Sequence, residues 1–548
     1  MSNKDWWKSA VFYQIYPRSF RDSNNDGIGD LAGITEGLDY LNNGRGGGLG
    51  IDALWISPFF KSPMADFGYD VSDYCDVDPI FGTLHDFDQL IEAAHARGIK
   101  VVLDLVLNHS SDQHPWFQES RQSRGNSKAD WYVWVDPKPD GALPNNWLSV
   151  FGGPAWTFEE SRGQYYMHSF LKEQPDLNWY NPEVRAAIAE VVRFWMNRGA
   201  DGFRLDTANF YAYDVELRDN PPRLSDSPIL ELDKAANPYL RDFLTTYSKD
   251  RPENFGFVKF LRDLFDEGEA MTSIGETGGF PDLETAVRVA ADYAKGPDRL
   301  HMAYGFALLS DRAGSPDYLT EVVQLTEENA DGAWPCWSLG NHDCTRLFSR
   351  LNCDSKPGCQ AMLLSLMLCL RGTPILYYGD ELDMPEYPIT REELQDPYGI
   401  NYWPDFIGRD GCRTPFPWSS TAPQQGFNDG ARPWLPAKAP LALDAAEQDP
   451  NSTLHVLREM IRIRQKLPVL QTGNFQLLES NESVFIFQRE TSEALVWVAA
   501  NLSATEQVID LTDSDLEDMT PRTLRQRGAL RAGTLVIPPY GLFIGLKA

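Results

Sequence analysis

Short apolar runs rich in β-branched residues alternate along this chain with longer stretches in which apolar positions recur every three or four residues. The short runs fall at residues 11–16, 53–57, 100–106, 202–206, 272–276, 303–308, 336–341 and 374–378. Runs of that length with little alternation suit strands buried on both faces. Helical patterns lie between most of them, as at residues 86–97 (DFDQLIEAAHAR), 182–197 and 360–370. Eight strand–helix units in series predict an α/β fold, a closed (β/α)8 TIM barrel. The rhythm breaks after the third run, where residues 108–178 are rich in Trp, Gly, Pro and Asn. A structureless loop of that length is not expected inside a compact fold, so this segment reads as an inserted subdomain. Two further long connections, residues 208–254 and 380–435, follow the fourth and eighth runs. Loops that follow barrel strands build the active face, which places all three on one side. Beyond residue 466 the runs at 475–478, 484–488, 494–499 and 507–511 are short, with turn signals between them. They predict a C-terminal antiparallel β-sandwich domain over 467–548, leaving 1–107 and 179–466 to the barrel.

Charge narrows the partners. The chain carries 49 Lys and Arg against 79 Asp and Glu, a net charge of −30 spread along its length. Such a surface repels phosphate backbones and acidic lipids, which excludes nucleic acid and membrane surfaces as partners. The seven cysteines are odd in number and form no CxxC pair or disulfide framework. The N-terminus has no basic segment followed by an apolar run, and the most apolar stretch, residues 361–370, is too short to span a bilayer. A reducing cytoplasm is the expected location, with monomer and homodimer both open.

The strand ends carry the candidate chemistry. The fourth reads GFRLD, the fifth SIGE and the seventh SLGNHD. Arg204 and Asp206 share one face of their strand, and taken alone they read equally well as a structural ion pair. Asp206, Glu276 and Asp343, however, each stand at a C-terminal strand end, and barrel closure brings those ends together. Three acids at one mouth repel, a cost that is retained where it serves a reaction. Glycoside hydrolysis is such a reaction: one carboxylate attacks the anomeric carbon and a second carboxyl protonates the leaving oxygen.

The motifs DLVLNH (104–109), GFRLDTAN (202–209), IGE (274–276) and GNHD (340–343), in this order and spacing, resemble those of glycoside hydrolase family 13, the α-amylase superfamily, over nearly the whole chain. The resemblance implies Asp206 as nucleophile, Glu276 as acid/base and Asp343 as transition-state stabiliser. It also implies His109, Arg204 and His342 around the bound glucose, with Arg204 keeping Asp206 ionised. QPDLN (174–178) is similar to the signature of oligo-1,6-glucosidases and α-glucosidases. DFGYD (66–70) resembles that group's pocket for a non-reducing end, with Asp66 hydrogen-bonding the terminal glucose, Tyr69 stacking on it and Arg409 closing the far side. Phe151 and Phe170 read either as pocket walls or as core. Thr207, next after the nucleophile, is the residue that goes with α-1,4 rather than α-1,6 preference in the resembling enzymes.

The implied activity is a retaining, exo-acting α-glucosidase on short α-1,4-linked oligosaccharides and α-glucosides, with transglucosylation as a side activity. A dedicated glucosyltransferase or a sucrose or maltose isomerase shares every catalytic residue and stays open. A non-catalytic, transporter-associated relative is disfavoured by the complete set of acids. No organic cofactor is implied. DSNNDGIGD (22–30) reads either as an Asx-rich turn or, by resemblance, as a loop holding a structural Ca2+ or Mg2+ through Asp22, Asn24, Asp26, the Ile28 carbonyl and Asp30. GRGGG (44–48) is extra relative to the family pattern and is expected on the barrel's bottom side, away from the acids.

Overall fold

The structure, a computed structural model, describes residues 3–223, 237–280, 282–478, 480–511 and 515–547. Part of the long connection 208–254, residues 224–236, therefore lies outside the described residues.

Among the described residues, eight parallel strands form the central sheet: β1 (Phe12–Ile15), β2 (Ala53–Ile56), β3 (Lys100–Leu105), β4 (Gly202–Leu205), β5 (Thr272–Glu276), β6 (Met302–Tyr304), β7 (Cys336–Ser338) and β8 (Thr373–Tyr377). They run in the order β6-β5-β4-β3-β2-β1-β8-β7. A single parallel bridge between Ala303 and Pro335 joins β6 to β7 and closes the ring. The sixth and seventh strands end earlier than their apolar runs suggest. Gly305 and Phe306 turn the chain into a 3-10 helix at Ala307–Leu309, and Leu339–Asn341 continue as loop.

The barrel interior changes character along its axis. Near the strand starts Phe12, Ala53, Val102, Ile274, Met302 and Cys336 pack together with Trp55. Two residues further along, on the same faces, stand Gln14, Asp104, Arg204 and Glu276, all buried. A dry floor thus supports a polar upper layer.

The helices between the strands carry local start signals. Thr83 and Asp86 form a reciprocal capping box at the start of helix Leu84–Ala96. Asn181 caps helix Pro182–Asn197, whose first residue is the proline that tolerates that position best. Helix Cys359–Cys369 is buried along its whole length, which explains its unbroken apolar sequence. Its last carbonyls are capped by buried arginines: Arg489 Nη1 donates to Cys369 O and Arg464 Nη1 to Leu368 O, at 2.8 and 2.7 Å.

Residues 108–178 contain a short helix (Pro115–Ser120) and an antiparallel sheet in which Gln164–Met167 pairs with both Trp134–Val135 and Trp156–Glu159. Toward the C-terminus two antiparallel sheets pack over a core that includes Val484, Ile486, Leu535, Ile537 and Phe543. The glycine-rich stretch 44–48 turns the chain between helix Leu31–Leu41 and the start of β2. Gly44, Gly46 and Gly48 there adopt positive φ, and Arg462 donates to Gly46 O.

Candidate active site

Asp206 follows the last residue of β4, and Glu276 ends β5. Both project into the polar layer, where a single guanidinium organises them. Arg204 Nη1 lies 2.8 Å from Asp104 Oδ1 and 2.8 Å from Asp206 Oδ1, while Nη2 lies 2.7 Å from Glu276 Oε2. Thr207 ties the two strand ends together. Its N–H donates to Glu276 Oε2 and its hydroxyl to Asp206 Oδ2, each at 3.2 Å. Thr207 has φ +41°, a left-handed conformation that is strained for a β-branched residue.

Burial dominates the titration of this cluster. It raises Asp206 and Glu276 each to about 7, against the lowering effect of Arg204 and with further raising by neighbouring acids. Asp104 goes to about 6 for the same reasons. Arg204 favours the ionised form of each, but one guanidinium shared among three buried carboxylates offsets only part of their desolvation and mutual repulsion. The group titrates as a unit and holds a proton in the neutral range.

A cavity partly open to solvent is lined by Asp206, Thr207, Glu276 and Asp343. Asp66, Tyr69, His109, Phe151, Phe170, Gln174 and Arg409 line it as well. Arg409 seals one end. Its Nη2 donates to Asp66 Oδ1 and to Asp396 Oδ1, both at 2.8 Å, and its Nη1 to Asp343 Oδ1 at 3.1 Å. Arg413 Nη2 adds a second contact to Asp343 Oδ1, at 3.1 Å. Burial raises Asp66 against the pull of Arg409, whereas Asp396, which accepts three bonds from Arg409, stays below the usual carboxylate range despite its burial.

The predicted histidines occupy different layers. His109 lines the cavity, with Nε2 3.1 Å from Tyr69 O, and burial holds its pKa down at about 3. His342 is fully buried and lies parallel to the Tyr69 ring, with centroids 5.4 Å apart. Its Nδ1 lies 2.7 Å from Gln14 Nε2, and its Nε2 faces the Tyr69 hydroxyl and Asp343 Oδ2. His342 and Arg204 thus stand one layer behind the wall, holding the residues that face the cavity. Phe151 and Phe170 satisfy both readings offered for them. They line the cavity and belong to one cluster with Phe210, Tyr239, Tyr398 and Phe406.

Sequence reasoning missed several residues of this site. Asp104 lies inside a motif already in view, and Arg413 four positions after Arg409 in the same 3-10 turn region. Asp396 and Tyr239 come from long connections whose path no periodicity reveals, and Phe306 from the turn that ends β6.

In the 22–30 loop, Asp22 accepts from the N–H groups of Asn25, Asp26 and Gly27 and from Asn428 Nδ2. Asp30 caps helix Leu31–Leu41 through Gly33 N and accepts from Ser23. Asn24 and Asp26 each accept one main-chain N–H. The loop is closed by its own hydrogen bonds. Among the described residues no three His, Cys, Asp or Glu side chains converge as a metal site would require.

An eight-stranded parallel barrel with buried acids at its C-terminal mouth, beside a cavity that Arg409 closes at one end, fits the class of carbohydrate-active enzymes. Residues 14–473 match the family model described as "Alpha amylase, catalytic domain", and the chain belongs to that family, within the glycoside hydrolases. A "Probable alpha-glucosidase" of Rhizobium meliloti (strain 1021) is 48% identical over 523 residues, covering 94% of this chain and 93% of the relative. An "Oligo-1,6-glucosidase" of Heyndrickxia coagulans is 37% identical, covering 93% and 94%. Among solved structures, the "alpha-glucosyl transfer enzyme, XgtA" superposes with a TM-score of 0.92 at 44% identity, over 99% of both chains. The trehalulose synthase MutB from Pseudomonas mesoacidophila MX-45 gives 0.87 at 33% identity, again over 99% of each.

Proposed function

We propose that the protein is a retaining, exo-acting α-glucosidase that releases glucose from the non-reducing end of short α-1,4-linked oligosaccharides and α-glucosides. The observation that carries this reading is the seal made by Arg409 with Asp66, Asp343 and Asp396, directly beside the acids. A cavity closed at that point admits one terminal sugar and no continuing chain.

In the proposed reaction the shared proton rests on Glu276, leaving Asp206 ionised beside Arg204. Asp206 attacks C1 of the bound glucose while Glu276 passes its proton to the leaving oxygen. Asp343, held by two arginines, faces the cationic sugar as charge develops. Water, deprotonated by Glu276, then releases glucose from the glucosyl ester with its configuration retained. Thr207, which contacts both acids, fixes their relative position.

Glucosyl transfer follows if an alcohol or a second sugar replaces water. Phe210, Tyr239 and Phe306 line the cavity as well, and the likeness to a glucosyl transfer enzyme keeps this second reading in view. Purified protein given maltose, isomaltose and sucrose at low and high concentration separates the two. Free glucose from maltose, with little from isomaltose, supports hydrolysis with α-1,4 preference. Longer or rearranged sugars as main products point to transfer or isomerisation, and initial β-glucose released from an aryl α-glucoside, seen by NMR, contradicts the retaining mechanism.

Three further readings accompany this one. Residues 108–178 and 467–548 are taken as units separate from the barrel. The protein is placed in the cytoplasm; among the described residues no helix is long and apolar enough to cross a membrane. The 22–30 loop is taken as a remote Ca2+ or Mg2+ site, its support being the alternating oxygen-bearing residues of the loop and the exposure of Asn24 and Asp26. An unchanged melting temperature after addition of EDTA or excess Ca2+ argues against the ion.

A further inference from the structure

A buried cation with no part in the steps above lies close behind the acid/base. The Lys249 side chain is wholly buried. Its ammonium pairs with Asp250, donates to Gly278 O at 3.0 Å and stands 4.1 Å from the centre of the Phe280 ring. Gly278 O also accepts from Asn209 Nδ2 at 3.1 Å, and that amide donates to Asp250 Oδ1 at 2.9 Å. The Asp250 N–H returns to Asn209 O at 2.9 Å.

Three stretches of chain are therefore knotted around one carbonyl. Asn209 lies three residues past the nucleophile and Gly278 two residues past the acid/base. Lys249 and Asp250 end the connection that bears Tyr239. Gly278 and Gly279 also line the cavity beside Tyr239 and Phe306. The packing leaves little slack. A Cβ on Gly278 would stand 2.8 Å from Phe306 Cε2, and one on Gly279, where φ is +74°, would stand 3.2 Å from Lys249 Cε. An ammonium is costly to bury unless it is paired and hydrogen-bonded, and here Asp250 shares it with the Gly278 carbonyl and the Phe280 ring, both in the segment that follows Glu276.

We infer that Lys249 is a positioning residue for the leaving-group side of the cavity: with Asp250 and Asn209 it fixes the Gly278–Gly279 peptide, and so sets where a second sugar or an acceptor alcohol rests against Glu276. This rests on the proposed reading of Glu276 as acid/base. The sugar that reacts at C1 is held instead at the opposite end, by Asp66, His109 and Arg409. Lys249 should therefore govern the acceptor without governing the bound glucose.

The test uses the full chain with Lys249→Met, Lys249→Arg and Asp250→Asn. Three quantities are read: the inhibition constant of 1-deoxynojirimycin, which reports the sealed glucose site; kcat and KM for maltose; and the ratio of transfer to hydrolysis with added glycerol. Removing a charged donor from a buried carbonyl should raise KM for maltose on the order of tenfold and shift the transfer ratio. The inhibition constant should stay within about twofold, and Lys249→Arg should restore part of the wild-type ratio. Equal shifts in the inhibition constant and KM, or no shift in either, overturn the positioning role. If Lys249→Met does not fold, Asp250→Asn decides: it keeps the ammonium–Gly278 bond but loosens the knot, and an unchanged transfer ratio overturns the inference. Wild-type turnover is read first. No glucose from maltose or from an aryl α-glucoside overturns the functional reading and this one with it. Wild-type turnover with kinetically silent variants overturns this one alone.

Discussion

Replacing Glu276 by Gln should stabilise the protein while disabling it, and the two effects should have separate pH signatures. The amide is isosteric. Its oxygen can still accept from Arg204 and Thr207 N, and its NH2 can face the Tyr304 hydroxyl, now 3.4 Å from Glu276 Oε1. Burial holds the wild-type carboxyl at about 7 against an ordinary 4.5. That difference corresponds to on the order of 3 kcal/mol. The folded state keeps a proton that the unfolded chain has already released. The penalty is therefore absent below about pH 4.5, grows as pH rises, and is complete above about pH 7. Gln removes it, so the variant should melt roughly 3 °C higher than wild type at pH 8, given the entropy of unfolding of a chain this long. At pH 4 the two should melt together. On the kinetic side, loss of a general acid should cost maltose roughly 10²–10⁴ in kcat/KM. A nitrophenyl α-glucoside, with a leaving group that needs little protonation, should lose far less in forming the glucosyl ester. Differential scanning fluorimetry across pH and initial rates on both substrates are the assays. A stability gain over wild type no larger at pH 8 than at pH 4 would refute the burial argument, and equal losses on both substrates would refute the acid role.

Two other perturbations have definite signs. Arg409→Met strips the cation from Asp66, Asp396 and Asp343, and should cost about 3–5 kcal/mol of stability as buried carboxylates lose their partner; a melting temperature within a degree of wild type would show that the seal is not held as described. Thr207→Val keeps the branched side chain and its strained backbone but loses the hydroxyl bond to Asp206, and should raise the isomaltose-to-maltose rate ratio; an unchanged ratio would place linkage choice elsewhere in the cavity.

The barrel was legible because parallel strands buried on both faces read as unbroken apolar runs, and all eight predicted runs overlap a barrel strand. The edges were less so. Residues 305–308 look as apolar as a strand, yet the chain turns at Gly305, and Phe306 beyond it packs against Gly278. The acids were legible as strand-end residues, and Asp66 and Arg409 through their motifs. The layering of His342 and Arg204 behind the wall was not, because a motif records which residues gather and not which of them face the void. Nor was the upward shift of Asp206 and Glu276. That depends on how many carboxylates one guanidinium must serve once the barrel closes.

The order of strands in the ring also bears on how the chain must be made. β1 pairs on one side with β2, where Phe12 meets Ala53, but on the other with β8, where Phe12 meets Ile375. A ribosome thus releases one edge of the first strand long before its second neighbour exists. Until then that edge offers unpaired main-chain groups to any passing strand, and the interior floor built on Phe12 and Trp55 stays open to water. Long-range parallel pairing of this kind is slow and exposed to aggregation. Yield in a heterologous host should accordingly respond to chaperone supply and to lowered growth temperature more than to any change at the catalytic mouth.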